Sequence, residues 1–271
     1  MPINAQRNRE FSRKVKAYYR RHGRILPWRK TRDPYKIVVS EIMLQQTQVS
    51  RVLEKYPFFI AVFPDLRALA RAPLRKVLKA WQGLGYNRRA RALHQLAKAV
   101  VREHDGRIPA DKDALLSLSG IGEATACSVR AFAFGRGEPF IETNIRSVFI
   151  HEFFSRRRNV SDKEILPLVE ATLDRCDPRT WYSALMDYGF FLKGKFANPS
   201  RKSSHYKRQS PFQGSDRQMR GKILKILSHK VKVRQTALAD IVGGAPERVA
   251  QLIRQLQREK LIRKKGVFIF L

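Results

Sequence analysis

Cysteine is nearly absent from the 271-residue chain: Cys127 and Cys176 are the only two, and they stand far apart. Two thiols cannot build a disulfide framework, a four-cysteine iron-sulfur site or an all-cysteine zinc site. The six histidines, at 22, 94, 104, 151, 205 and 229, do not make up the shortfall, since no two fall at a ligand-like spacing. No metal is expected in catalysis. Long apolar runs are lacking as well. None reaches the roughly 18 residues of a spanning helix, and the polar start from Met1 to Glu10 has no signal-peptide core. An intracellular protein of the cytoplasm or nucleoid, with no membrane partner, is expected. Acid is the third scarcity: 23 Asp+Glu stand against 55 Lys+Arg, a formal net charge of +32. Solubility requires far less, and an excess of this size along a folded chain marks a polyanion partner.

What is present is organised around Leu115 to Ala126, LLSLSGIGEATA. A Leu-Ser-Gly-Ile-Gly turn joins one helical pattern to another that starts near Glu123. Glycines at 120 and 122 permit positive φ and a close ligand approach, and the amides of the turn and of the new helix can hold a phosphate. This is a helix-hairpin-helix arrangement, in which Leu118, Gly120, Ile121 and Gly122 would grip a nucleic-acid backbone. A Gly-x-Gly helix start on its own is also a common tight turn.

Length allows a sizeable core and two domains, and no repeat of fixed period occurs. A basic amphipathic helix is expected from Arg7 to His22, then a loop through Leu26-Pro27-Trp28-Arg29 and Asp33-Pro34-Tyr35, then one apolar helix from Pro34 to about Arg51. That helix carries Glu41 and the triplet Gln45-Gln46-Thr47. A glutamate on an apolar helix tends to stay protonated, as a general acid would, unless it reaches solvent or a backbone partner. Short helices follow at 56–63, 65–71, 74–84 and 88–103. Gly83-Leu84-Gly85-Tyr86 between the last two presents an aromatic beside Arg88 and Arg89, either to close a helix end or to wedge into a base stack. Glu142 stands one residue ahead of a Thr143 N-cap, where a carboxylate is favoured. Helices at 162–176 and 181–192 complete the set. Residues 193–217 read as a basic linker. Beyond it, three helices and two strands, 261–263 and 267–271, around Lys264-Lys265-Gly266 read as a winged helix.

Several motifs, in order, resemble the helix-hairpin-helix (HhH-GPD) DNA glycosylases, and most closely the adenine-specific mismatch glycosylases of the MutY type: LPWR (26–29), DPYKIVVSEIMLQQTQV (33–49), GLGYNRRARALH (83–94), LSGIGEATA (118–126), ETNIRSV (142–148) and ALMDYG (184–189). The resemblance covers about residues 7–192. It implies a mostly α fold, a two-lobed glycosylase domain made of one lobe from 1–30 and 135–200 and a six-helix lobe from 31–134, followed here by a linker at 201–217 and the winged-helix-like domain at 218–271. It further implies Glu41 as catalytic acid, Glu142 in the place of the family's catalytic aspartate, Asn144 beside it, Trp28, Arg29 and Ser183 around the base, and Gln45 and Tyr86 entering the DNA, with Gln46, Arg88 and Arg89 among the residues that bind it. Several departures stand out. Glu142 is one methylene longer than the usual Asp, and Ser183 replaces a Gln thought to read the base. The cluster-ligating cysteines after ALMDYG are missing, with Lys193 near the first. The lysine of bifunctional members is here Ala124.

The reading implied is a monomeric, monofunctional base excision enzyme without an iron-sulfur cluster, acting on double-stranded DNA with a mismatched or damaged base, adenine in a mismatch first. Two others stay open: a glycosylase of this fold for a deaminated or alkylated base, and a non-catalytic DNA-binding protein on the same scaffold.

Overall fold

The computed structural model describes residues 4–271, so the first three residues of the polar start lie outside the described residues. It is mostly helical. The helices are α1 (Ala5–His22), α2 (Pro34–Leu44), α3 (Val49–Val62), α4 (Leu66–Arg71), α5 (Leu74–Ala80), α6 (Arg88–Glu103), α7 (Lys112–Ser117), α8 (Glu123–Phe134), α9 (Thr143–Phe153), α10 (Asp162–Thr172) and α11 (Pro178–Lys195). After them come α12 (Asp216–His229), β1 (Val233–Arg234), α13 (Gln235–Val242), α14 (Pro246–Arg258), β2 (Arg263–Lys265) and β3 (Phe268–Phe270). Two compact units share these elements. The first holds residues up to Ile37, Ala110–Leu116 and Ile121–Arg208; the second holds Val38–Pro109, Ser117–Gly120 and Gln209–Leu271.

In the first unit α11 is the central element, packed against α9, α1 and α8. Its buried residues, from Trp181 and Tyr182 through Leu185 and Tyr188 to Leu192, recur on the helical period. Phe11 of α1 meets the rings of Phe149, Phe153 and Trp181 at 5.1–6.0 Å between centroids. Side-chain caps fix where the helices begin. Asn4 accepts from the amides of Gln6 and Arg7 before α1, Asp177 from that of Thr180 before α11, and Ser161 with Glu164 forms a capping box on α10. The stretch expected to be linker begins as ordered structure: Pro199–Lys202 is a 3₁₀ turn, and Ser200 and Ser203 are buried. Ser200 Oγ shares a hydrogen bond with Ser147 Oγ at 2.5 Å, and Val160 pairs with Ser203 as a short parallel bridge. The basic composition of this segment hid its docking, which combines serine hydroxyls, a buried Pro199 and backbone hydrogen bonds to Val160.

In the second unit α6 buries Ala90, Leu93, His94, Leu96, Ala97 and Val100 against α4 and α5. The single apolar helix expected from Pro34 to Arg51 is two. Gln46 has φ 54° and Gln48 is extended, so the chain breaks after Leu44 and resumes at Val49, running through Pro57 to Val62. Apolar periodicity does not register a break made by one left-handed residue. The last segment has three helices and a three-stranded sheet, order β1-β3-β2, in which Ile269 lies opposite both Val233 and Lys264. The sequence pattern predicts only two strands there. The third, β1, is two residues long and carries no alternation to read, and β2 lies two residues later than expected because Leu261 and Ile262 are buried ahead of it. Within this unit α12 packs on α5, where Arg75 Nε donates to the Ser228 carbonyl at 3.1 Å and Gln82 is hydrogen-bonded to Ser228 Oγ.

Gly189 lets α11 approach the start of α9. A Cβ there would lie 2.5 Å from the carbonyl oxygen and 2.8 Å from Cβ of Asn144. Alanine gains about 1 kcal/mol in helix propensity, but a backbone oxygen inside van der Waals distance cannot yield without moving α9. Gly189→Ala should therefore lower the thermal midpoint despite its better propensity; a higher midpoint would mean the two helices are not so closely packed.

Candidate active site

The sequence candidates fall in both units, and the groups around Glu41 and Glu142 are each built on a helix terminus. In the second unit, Glu41 is half-buried near the end of α2, beside the fully buried Ile42 and Met43. The last carbonyls of a helix have no partner within it. Here one side chain takes them. Arg89 Nη1 donates to the carbonyls of Ile42, Met43 and Gln45 at 2.8, 2.8 and 2.6 Å, and Nη2 donates to Thr47 Oγ1 at 2.9 Å and to the carbonyls of Leu84 and Gly85 at 3.2 Å each. Its motif puts Arg89 among the DNA contacts of the Tyr86 turn, and the structure corrects this. The guanidinium is turned inward, and burial, opposed by the Tyr86 hydroxyl, pushes its pKa down to about 10. Arg88 is exposed, at the edge of a 4.0 Å ion pair with Glu259.

The turn that Arg89 holds carries Tyr86, itself left-handed at φ 46°. Such a conformation costs a non-glycine residue about 1–3 kcal/mol and persists where its surroundings over-determine it. They do so here: Trp81 Nε1 donates to the Gly85 carbonyl at 3.1 Å, and the Arg89 guanidinium lies 5.5 Å from the Tyr86 ring centroid. The Tyr86 hydroxyl accepts from Gln209 Nε2 at 2.8 Å and Arg217 Nη1 at 3.1 Å, so the segment leading into α12 reaches this turn. Gln45 Nε2 donates to the Gly120 carbonyl at 3.2 Å, and Gln46 is exposed. Leu118 is buried. Gly120 needs its glycine, with φ 86° and a Cβ position 3.0 Å from that of Ala92.

In the first unit Ile121 is buried and Gly122 caps α8 at φ −108°, so the positive φ expected of both glycines holds for Gly120 alone. Open space surrounds the missing Cβ of Gly122. Glu142 is itself the N-cap of α9, one residue earlier than the expected Thr143. Its Oε1 accepts from the amides of Asn144 and Ile145 at 2.8 and 2.9 Å, and its Oε2 accepts from Asn144 Nδ2 at 3.1 Å. A glutamate reaches these amides as a shorter cap would, and Thr143 is left exposed.

Arg29 is expected beside the base. Its guanidinium is bidentate on Asp187, with Nη1 on Oδ2 at 2.8 Å and Nη2 on Oδ1 at 2.9 Å, while Arg24 donates to the same carboxylate from its backbone amide and its Nε at 2.8 Å. Trp28 and Ser183 are buried. Asp187, only 1% exposed, is a residue to which the motifs give no role. A charged residue in the otherwise apolar run ALMDYG was the signal for it. Among the described residues no group of three or more His, Cys, Asp or Glu could hold a metal ion, and no helix is long and apolar enough to cross a membrane.

Residues 39–179 match the family model of the HhH-GPD superfamily base excision DNA repair proteins. The adenine DNA glycosylase of Mycolicibacterium smegmatis is 34% identical over 244 residues, covering 83% of each chain. That of Mycobacterium tuberculosis is 32% identical over 232 residues, covering 78% of this chain and 76% of its own. A solved thermostable thymine-DNA glycosylase superposes with a TM-score of 0.62 at 25% identity, over 74% of this chain and 97% of its own. The chain belongs to the HhH-GPD superfamily of base excision DNA repair proteins, as a DNA glycosylase.

Burial by itself would push the Asp187 carboxyl up, but the hydrogen bonds and charge of Arg29, with the donors of Arg24, outweigh it and hold Asp187 below the usual aspartate range. A carboxylate lowered on folding adds stability that is fully present above its unfolded value of about 3.9 and is lost as pH falls through the lower folded value. Urea titrations should show Asp187→Asn less stable by about 3 kcal/mol or more at pH 7, and the wild type losing this contribution only below about pH 4. Equal midpoints at pH 7 would make the pair dispensable.

Proposed function

We propose that this glycosylase releases adenine from a mismatched base pair by hydrolysis, with Glu41 as acid and Glu142 as the second carboxylate. The observation that carries the mechanism is Glu142, held at the start of α9 by three donors, two backbone amides and the Asn144 side chain. The adenine DNA glycosylases at 32–34% identity support the choice of base. Turning a nucleotide out of the stack costs a few kcal/mol, least at a mismatch. Glu41 gives its proton to a nitrogen of the base, the bond from that base to C1′ breaks, and the base leaves neutral. Glu142, as an anion, stabilises the oxocarbenium-like sugar until water adds at C1′, its proton passing to the carboxylate left at Glu41 so that the acid is restored. Ala124 offers no amine at the hairpin, which supports hydrolysis over a lyase step. Four thiolates are needed for an iron-sulfur cluster; the chain has two cysteines, one buried in α8 and one exposed before α11, so the donor set does not fit that group.

A second reading has support of its own. Ser183 and the longer Glu142 are departures at two positions around the base, and the thymine-DNA glycosylase shares the fold. The same enzyme would then take thymine or a deaminated base such as uracil. A panel of duplexes with adenine opposite guanine or 8-oxoguanine, and with thymine, uracil or an alkylated base, followed by alkaline cleavage of abasic sites, separates the two. Adenine release is expected, and Glu41→Gln should slow it by about 10²–10⁴-fold with duplex affinity kept. Release of thymine or uracil alone would replace the adenine assignment, and an active Glu41→Gln would remove Glu41 from the chemistry.

The segment 216–271 holds no acid-base pair, and DNA binding is its proposed role. Arg254, Arg258, Arg263, Lys264 and Lys265 are exposed on α14 and β2, whereas Arg248 is paired with Asp216 at 2.7 Å. A cation that neutralises one phosphate steepens the fall of log K with log salt by about 0.9. Changing Arg254, Arg258, Lys264 and Lys265 together to Gln should flatten the slope for undamaged duplex by roughly 2–4; an unchanged slope would assign this surface to a protein partner.

A further inference from the structure

Gly189 and Lys193 stand one turn apart on α11, and both meet the same residue. Gly189 brings the helix backbone against Asn144, and Lys193 Nζ donates to Asn144 Oδ1 at 2.8 Å. On its other side the Asn144 amide donates from Nδ2 to Glu142 Oε2 at 3.1 Å. An asparagine amide has one accepting and one donating end. Turned over, it would set its NH₂ against an ammonium and its oxygen against a carboxylate, two repulsive contacts in place of two charge-assisted bonds. A cation on one side and an anion on the other therefore admit a single orientation of this amide. The Glu142 carboxylate has three side-chain torsions to restrain, and the two backbone amides hold only Oε1. Without the Asn144 bond, Oε2 can swing about Oε1.

We infer that Lys193 is a positioning residue for catalysis, acting through Asn144 to fix the plane of the Glu142 carboxylate against the sugar. It rests on the role given to Glu142 above. Lys193 touches neither base nor sugar in this scheme; it orders the group that does. Burial draws the Lys193 pKa below its usual range, the charge of Arg146 adds to this, and the charge of Glu142 opposes it. An ammonium held in place by one amide oxygen, with a carboxylate on the far side of that amide, is a different arrangement from a surface lysine, whose loss changes little.

Single-turnover base release at saturating protein tests this, on whichever duplex of the panel the wild type cleaves, together with the side-chain amide resonances of Asn144. Lys193→Met, close in size and without charge, should lower the rate constant about tenfold, since small misplacements of a reacting group carry such penalties, while the Kd for undamaged duplex stays within about twofold. Lys193→Arg should recover most of the rate. In a Glu142→Gln background Lys193→Met should add no further loss, because the two act as one unit. The Asn144 amide pair should move in Lys193→Met and be restored in Lys193→Arg. An unmoved Asn144 resonance, or an equal loss with and without Glu142, overturns the inference. If Glu142→Gln alone is fully active, the role given to Glu142 has failed; a shifted Asn144 resonance would then show that the clamp exists but serves no catalysis, and the inference falls with that role.

Discussion

A helix leaves its first amides and its last carbonyls without partners in its own ladder, and both groups of candidate residues answer that requirement. At the end of α2 the carbonyls of Ile42, Met43 and Gln45 converge on one nitrogen of Arg89. At the start of α9 the amides of Asn144 and Ile145 converge on one oxygen of Glu142. The charges are of opposite sign, as the helix dipole favours: a cation at a C-terminus, an anion at an N-terminus. A fixed geometry of reacting groups needs rigid supports, and helix ends with satisfied hydrogen bonds supply them. The same side chains that complete the backbone thereby set the positions of Glu41, Tyr86 and Asn144.

The large positive charge has a structural corollary. Acids are few, and many are taken up by internal partners: Asp187 by Arg24 and Arg29, Asp162 by Arg146 at 2.7 Å, Glu138 by Arg130, Glu259 by Arg220 and Asp216 by Arg248. These pairs neutralise arginines locally and leave the excess of lysine and arginine uncompensated. The exposed pair Arg248–Asp216 stabilises the fold little, about 0–1 kcal/mol, whereas the pairs on Asp162, Glu138 and Glu259 are partly buried. The buried Asp187 differs. Its carboxylate is removed from water, and only the full set of donors from Arg24 and Arg29 offsets the desolvation.

The candidate residues are legible because their chemistry is distinctive at short range. A glutamate in an apolar helix, an aromatic between glycines beside two arginines, and a Leu-Ser-Gly-Ile-Gly turn each stand out against their neighbours. Arg89 is misread for the same reason. In sequence it is indistinguishable from Arg88, and which of two adjacent arginines faces a phosphate depends on a rotation of about 100° around α6. Lys193 and Ser200 are illegible on other grounds, since each works through a partner 49 or 53 residues away.

The sequence by itself determined the helical periodicity, the charge that selects a polyanion, and the presence of two carboxylates in unlike surroundings. These are local properties, set by side-chain chemistry within a few residues. The tertiary structure alone decided that Arg89 and Arg29 turn inward, that Gln209 and Arg217 reach Tyr86, and that Lys193 meets Asn144. Each depends on which helix faces lie within about 3 Å of each other, and hydrogen bonds fall off too steeply with distance and angle for that to be read from the order of residues.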